Sequence, residues 1–289
     1  MAESGLIIVD KPGEWTSHDV VARMRRIAGT RRVGHAGTLD PMATGVLVIG
    51  VEKATRLLGH LALTEKVYEA TIRLGVTTNT DDAEGEVTAT APAAGVTPAE
   101  IHKGVGTLTG EIMQVPPQVS AIKVNGQRAY KAARAGEQVE LVARPVTVRA
   151  FDVLDIRAGG DVVDVDAVVT CSSGTYIRSL ARDLGAALGV GGHLTRLRRT
   201  RVGPYDLSLA RSLDQLAEEC VILPIAEAVA AAFPRRDVTA EQARLVAHGG
   251  RLPAAGLGGG PIGVFGPDGM LLALVEEQGG AARPLAVFV

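Results

Sequence analysis

The stretch from Gly34 to Gly50 constrains the fold more than any other part of this 289-residue chain. A short loop dense in Gly, Thr and Pro displays one carboxylate, Asp40, and then runs straight into the apolar segment Val46-Leu47-Val48-Ile49, which reads as a buried strand. Pro41 biases Asp40 toward an extended backbone, so the carboxylate sits on a stiffened turn. Gly34, Gly37 and Gly45 permit tight bends or the close approach of another backbone. Taken alone the stretch admits two readings: a plain turn in which Asp40 bonds its own backbone, or a loop built to present a carboxylate. The rest of the chain favours the second.

Length admits one large domain or two, with ample material for a core. At 46% apolar and 21% charged residues the composition is that of a folded chain rather than a disordered one. A formal charge of −2 does not announce a nucleic-acid partner, yet binding follows local patches. Arginines cluster twice: Arg23, Arg25, Arg26, Arg31 and Arg32 flank the Asp40 loop, and Arg196, Arg198, Arg199 and Arg201 crowd together. Each cluster reads either as a solvated face or as a surface for phosphates. Cys171 and Cys220 form no disulfide framework and no ligand pair, which fits a reducing cytosol. No charged segment followed by an apolar core marks a secretory signal. The longest aliphatic stretch, near 221–233, is interrupted by Pro224 and Glu227 and is too short for a bilayer. A soluble, cytoplasmic protein with no membrane association is expected.

Gly5–Asp10 reads as a strand, followed by a turn at Lys11-Pro12-Gly13 and a helix capped by Ser17, with Val20, Val21, Met24, Ile27 and Ala28 on one face and Gly29 at its end. Strands are expected at 45–51 and 66–74, with a helix at 52–62 between them. In the second strand Tyr68, Ala70, Ile72 and Leu74 alternate with Val67, Glu69, Thr71 and Arg73. A turn-rich link (75–97), a helix near 98–108 and a mobile insertion at 111–145 come next. Strands return at 146–157 and 162–170, the latter alternating Val163, Val165, Ala167 and Val169 against Asp164 and Asp166, which are expected to face solvent rather than a metal. A helix over 175–188 buries Ile177, Leu180, Ala181, Leu184 and Leu188. Beyond residue 230 the composition shifts to Gly, Ala and Pro, with short strands at 262–265, 270–276 and 284–289, as in a small separate β-rich domain. The sequence thus divides into 1–230 and 231–289.

Several motif matches carry no chemistry. Gly258–Gly263 satisfies G-x-G-x-x-G but lacks a βαβ setting and contains Pro261. Ser120-Ala-Ile-Lys123 has none of the partner motifs that accompany S-x-x-K. The six histidines show no ligand spacing. No metal and no organic cofactor is called for.

Three features point back at Asp40. Arg178 lies at the start of the 175–188 helix, where the dipole disfavours a cation. Its i±3 and i±4 neighbours are Gly174, Thr175, Ala181 and Arg182, so it reaches either solvent or a tertiary anion. Asp40 is a candidate, and such a pair would hold the carboxyl well below its usual range. Tyr68 stands among apolar residues on its strand face, either as a core tyrosine or as an aromatic plate on which a base could stack. Leu197, inside the basic run from His193 to Arg199, either joins the core or closes a pocket rimmed with phosphates.

These motifs together resemble a known family. Asp10-Lys11-Pro12, Gly34-His35-Ala36-Gly37-Thr38-Leu39-Asp40-Pro41, Lys66-Val67-Tyr68 and Gly174-Thr175-Tyr176-Ile177-Arg178 occur in the order found in the bacterial tRNA pseudouridine synthases that isomerise the T-loop uridine (position 55), the TruB type. The likeness runs from about residue 5 to 225 and is looser in the last sixty residues. The resemblance implies an α+β fold: a mixed, mostly antiparallel sheet forming the catalytic domain, an RNA-clamping insertion at 111–145, and a small β-rich C-terminal PUA-like domain that binds RNA. It implies Asp40 as nucleophile, Arg178 as its ion-pair partner, and Tyr68 as the residue that stacks on the flipped uracil and helps remove the C5 proton. Tyr176 and Leu197 would line the uracil pocket, and His35 would help hold the everted nucleotide. Lys11 and Pro12 match a motif that supports the Asp40 loop, and Asp82 matches a family turn without a catalytic role. The implied partner is the T-stem-loop of tRNA, with no obligate protein partner evident and a monomer compatible with the sequence.

The chemistry fits that inventory. Uracil leaves C1′, rotates and rejoins through C5, with no net redox change and no hydrolysis. A carboxylate nucleophile attacks either C6 of the ring or C1′ of the ribose. Two rivals remain at this stage: an RNA-binding or tRNA-folding protein without catalysis, and a nucleosidase. The latter needs a second carboxylate facing Asp40, which the motifs do not supply.

Overall fold

A computed structural model describes residues 3–119, 123–124, 127–128 and 141–289. Two compact units emerge: Met1–Asp40 with Gly45–Ala62 and Val202–Val289, and Pro41–Thr44 with Leu63–Arg201.

In the first unit the strand Gly5–Lys11 pairs antiparallel with Thr44–Val51, Gly5 opposite Val51 and Lys11 opposite Gly45. Every residue from Gly45 to Val51 is buried, which is why this segment reads as an unbroken apolar run rather than an alternating one. The strand Val33–Ala36 pairs with the same segment, placing His35 opposite Ile49. On its other edge Gly5 approaches Leu223–Pro224 so closely that a Cβ would sit 2.2 Å from the Leu223 carbonyl oxygen. Only glycine fits there.

The Ser17–Ile27 helix differs from expectation at its start. Thr16, not Ser17, is the N-cap: its hydroxyl accepts from the Asp19 N–H while its own N–H donates to the Asp19 carboxylate. The reciprocal pair satisfies two helix-end donors and outcompetes a lone serine. Gly29, at φ 63, ends the helix as expected. The expected helix at 52–62 is instead a 3₁₀ segment, Glu52–Leu57, continuing into one α-turn at Leu58–Leu61.

Residues beyond 230 build a five-stranded sheet in the order Arg235–Asp237, Ile262–Phe265, Leu271–Gln278, Ala281–Val287, Leu252–Pro253. A helix the composition did not announce, Ala240–Ala247, is capped by Thr239 and Gln242. Val238, Val246, Ile262, Val264 and Val275 form a small core of this segment. Phe265, Leu271, Leu274 and Phe288 join a separate core with Leu6, Ile8, Val46 and Val48. The C-terminal sheet therefore shares hydrophobic packing with the N-terminal strands.

The second unit carries the strands Gly192–Val202, Lys66–Leu74, Val162–Cys171, Arg144–Gly159 and Gly110–Gln114, side by side in that order. Lys66–Leu74 has the expected bounds, and Val163, Val165, Ala167 and Val169 alternate inward as expected, with Cys171 extending the buried set by one residue beyond the expected end. Asp164 and Asp166 do not simply face solvent. Arg73 grips Asp164 through two hydrogen bonds of 2.8 Å, Thr71 donates to Asp166 at 2.6 Å, and Arg157 also pairs with Asp166. These donors hold both carboxyls below their usual range. The Pro98–Thr107 helix meets the Ile177–Ala187 helix at Gly104, where a Cβ would lie 2.7 Å from Leu184. The ends of the 111–145 segment are ladder, with Gly110–Gln114 paired to Arg144–Gly159, and Lys123–Val124 pairs with Gln127–Arg128. The remainder of that expected insertion, 120–122, 125–126 and 129–140, lies outside the described residues.

Candidate active site

The Asp40 loop is anchored one residue before the aspartate. Ser17 is buried at the first position of its helix; its Oγ accepts from the Leu39 N–H at 2.9 Å and donates to the Leu39 carbonyl at 3.2 Å. Leu39 buries its side chain, so both main-chain groups depend on that hydroxyl. Asp40 follows directly and is half-buried. The residue expected to cap the helix serves instead to fix the loop.

Lys11 supports the same arrangement from further back. It is fully buried, and its amine donates to the carbonyls of Pro12 at 2.9 Å and Trp15 at 2.5 Å. The tight turn it holds includes Glu14 at φ 66 and delivers the chain to the Thr16 cap. His35 is half-buried and packs edge-on against His18, with centroids 5.6 Å apart.

The other expected residues belong to the second unit. Tyr68 is buried and faces Val169 in register. Leu197 and Arg199 both turn inward, as period-2 alternation along the Gly192–Val202 strand dictates. Among its neighbours, Arg196 pairs with Glu69 at 3.3 Å, Arg201 with Glu65 at 2.9 Å, and Arg198 donates to the Thr44 hydroxyl at 3.3 Å. The run expected as either a solvated face or a phosphate surface is thus tied largely into its own sheet. Lys66 is buried beside Arg199 and Cys171, and desolvation, aided by Arg199, pulls its amine down to about 8. Burial pushes the Cys171 thiol up to about 11, so it is no nucleophile at neutral pH.

Tyr176 and Arg178 sit at the start of the Ile177–Ala187 helix, which begins two residues later than expected. Gly174 at φ 83 turns the chain, and Tyr176 becomes the N-cap residue rather than part of the helix. Gln114, buried, clamps it on both sides: the Tyr176 N–H donates to Oε1 at 2.8 Å and Nε2 donates to the Tyr176 carbonyl at 3.1 Å.

Of the two readings open to Arg178, solvent or a tertiary anion, the second holds, and the anion includes Asp82. The guanidinium lies 3.3 Å from the Asp82 carboxylate, with side chains only 5% and 3% exposed. It also donates to the carbonyls of Thr80 at 2.9 Å and Val119 at 3.0 Å. Asp82 is itself fixed, accepting from the Thr80 hydroxyl at 2.6 Å and the Glu84 N–H at 3.1 Å. Sequence reasoning gave this residue no part. The signal available was an acidic turn, Asp81-Asp82, with no basic residue nearby in sequence. No cluster of three or more metal-ligating side chains occurs among the described residues, and no described helix is long and apolar enough to cross a membrane.

A clamped aspartate loop lies in one unit and a buried arginine–aspartate pair in the other. The chain belongs to the TruB family of pseudouridylate synthases: the model of that family's N-terminal domain matches residues 25–177. The tRNA pseudouridylate synthase B C-terminal domain matches 178–229, and the C-terminal domain of tRNA pseudouridine synthase II matches 233–289. It is accordingly an enzyme that isomerises uridine to pseudouridine. The tRNA pseudouridine synthase B of Thermobifida fusca is 66% identical over 98% of both chains. That of Streptomyces griseus is 63% identical over 98% of this chain and 97% of its own. Among solved structures, the chain is similar to one in a Cbf5–Nop10–Gar1 complex (TM-score 0.76, 29% identity, 99% of this chain and 85% of that one). It is also similar to one in an H/ACA ribonucleoprotein bound to a substrate RNA containing 2′-deoxyuridine (TM-score 0.73, 28% identity, 99% and 85%).

Proposed function

We propose that this enzyme isomerises the T-loop uridine of tRNA, acting in the cytoplasm without an obligate protein partner, with Asp40 as the nucleophile. The near-complete overlap with curated tRNA pseudouridine synthases B supports tRNA as the substrate. The observation that carries the residue assignment is the Ser17–Leu39 clamp, which immobilises the main chain one residue before the half-buried Asp40. A nucleophile must be held in attack geometry, and main-chain hydrogen bonds one residue away hold the loop that carries it.

Arg178 serves as the ion-pair partner of Asp40 in this reading. A guanidinium presents five donors in a rigid fork and can serve more than one carboxylate. With Asp82 behind it, its position is set before substrate arrives. The target base leaves its stack at a cost of roughly a few kcal/mol. Tyr68 then stacks on the uracil and takes part in removing the C5 proton, Tyr176 and Leu197 line the pocket, and His35 holds the everted nucleotide. Attack at C6 or at C1′ detaches the uracil, which rotates and rejoins through C5. Residues 231–289, packed against the N-terminal strands, contribute RNA contacts, and arginine contacts to phosphate make binding salt-dependent.

Tritium release from C5-labelled uridine in tRNA transcripts tests the assignment directly. Wild type should release tritium with the product mapped to the T-loop, while Asp40→Asn binds tRNA within a few-fold of wild type and releases none. Ordinary turnover by Asp40→Asn removes the nucleophile, and a product outside the T-loop removes the substrate assignment.

A further inference from the structure

One helical turn beyond Arg178, Arg182 occupies the same face of the Ile177–Ala187 helix. Each nitrogen of its guanidinium has its own acceptor: Nη1 meets Asp81 at 3.1 Å, Nη2 the Val115 carbonyl at 2.8 Å, and Nε the Asp183 carboxylate at 2.9 Å. The Val115 carbonyl also accepts from the Ser179 hydroxyl at 2.9 Å, although the Val115 side chain is exposed. Apolar burial does not hold this residue; hydrogen bonds do.

The acceptors of Arg182 and Arg178 are neighbours along the chain. Arg182 takes Asp81, and Arg178 takes Thr80 and Asp82 on either side of it. Arg182 takes Val115, and Arg178 takes Val119 across the stiff Pro116-Pro117 step, whose residues have no N–H to anchor otherwise. Asp81 sits at φ 60, and its carbonyl accepts from the Leu194 N–H at 3.0 Å. Three acceptors of Arg178, at Thr80, Asp82 and Val119, thus lie one residue, or one rigid step, from the points that Arg182 pins.

We propose that the Arg182–Asp81 pair, with the Val115 carbonyl, is a positioning device for the isomerisation: it fixes the two segments that aim Arg178, and so acts on turnover rather than on RNA affinity. The inference rests on the reading of Arg178 as the partner of Asp40. Lysine cannot reproduce it, since a point charge does not span three acceptors.

Single-turnover and steady-state kinetics on a T-stem-loop RNA test it, with melting curves to verify folding. Arg182→Met should lower kcat roughly 10- to 100-fold, the scale of a misplacement of about 1 Å, with KM within about threefold. Arg182→Lys, the variant retained if Arg182→Met does not fold, should recover only part of kcat. In an Asp82→Asn background the Arg182→Met loss should shrink, because one of Arg178's constraints is already gone. Unchanged kcat in folded Arg182→Met, a rise in KM alone, full recovery by Arg182→Lys, or strictly additive losses would overturn the proposal. Ordinary turnover by Arg178→Met would instead defeat the underlying reading of Arg178.

Discussion

Replacing Ser17 by alanine removes one oxygen and orphans two main-chain groups. The Leu39 N–H and carbonyl lose partners at 2.9 and 3.2 Å, in a place where Leu39 is only 4% exposed. Each buried orphan costs about 1–3 kcal/mol, and partial entry of water into the vacated volume trims the sum to about 2–4 kcal/mol. For a chain of this size that corresponds to a fall in Tm of roughly 3–7 °C. The kinetic consequence is larger than the stability loss suggests, because the freed main chain leads directly into Asp40, the proposed nucleophile. With the loop relaxed, kcat for tritium release should fall roughly tenfold or more while tRNA affinity stays near wild type. Ser17→Thr, which keeps the oxygen, should retain more of both than Ser17→Ala. The assays are differential scanning fluorimetry and tritium release under saturating RNA. A Ser17→Ala protein that melts within about 1 °C of wild type and turns over normally would refute the claim that this hydroxyl sets the loop.

Asp82→Asn turns an amide N–H₂ toward a buried guanidinium 3.3 Å away and should cost about 3–5 kcal/mol in urea unfolding, together with most of the activity; a loss under 1 kcal/mol would argue against a coupled buried pair. Lys66 gives a pH signature. Because its amine titrates near 8 in the folded chain rather than near 10.5, the unfolded state binds the extra proton between those values, and wild-type stability rises across that window. Lys66→Met should be the more stable protein at pH 7, by on the order of 3 kcal/mol at most, with the advantage fading toward pH 10.5; a pH-independent difference would contradict the burial argument. Tyr68→Phe and Tyr68→Leu should differ in kcat if the hydroxyl moves a proton beyond stacking, and equal impairment would leave stacking alone. Truncation before Arg235 exposes the core that Phe265, Leu274 and Phe288 share with Leu6 and Ile8, so the shortened chain should melt earlier and aggregate, which light scattering during a thermal ramp would reveal.

Most of the scaffold was legible because it obeys short periods. The Lys66–Leu74 strand has its expected bounds since period 2 is unbroken across it, and Val162–Cys171 follows for the same reason. Helix starts were less legible. Thr16 and Ser17 are both good caps, and only Asp19, three residues after Thr16, decides between them. The Thr239–Gln242 box was likewise present but hidden in a Gly- and Ala-rich segment. Arginines misled most. Arg199 lies two residues from Leu197 on a strand, so alternation already placed it inside, yet a cluster of like charges reads as a surface. The part played by Asp82 could not be read, because it reaches Arg178 through the packing of a turn distant in sequence against a helix start.

The two clamps share a logic. Ser17 grips Leu39, and Gln114 grips Tyr176, each by donating to a carbonyl and accepting from an N–H of one residue. A two-point grip fixes both translation and rotation of a peptide without using a charge or the functional side chain. Asp40 is the next residue after one clamp, and Tyr176 is itself the clamped residue of the other. A salt bridge in either place would hold one long side chain against another, at a cost in rotamer entropy and with sensitivity to the polyanionic substrate's own charge. Neutral main-chain clamps are insensitive to both, so they keep the loop geometry constant as phosphates approach. In the proposed mechanism the charged device is kept for Arg178, where charge itself would be the chemical requirement, and there the pair with Asp82 is nearly sealed from solvent.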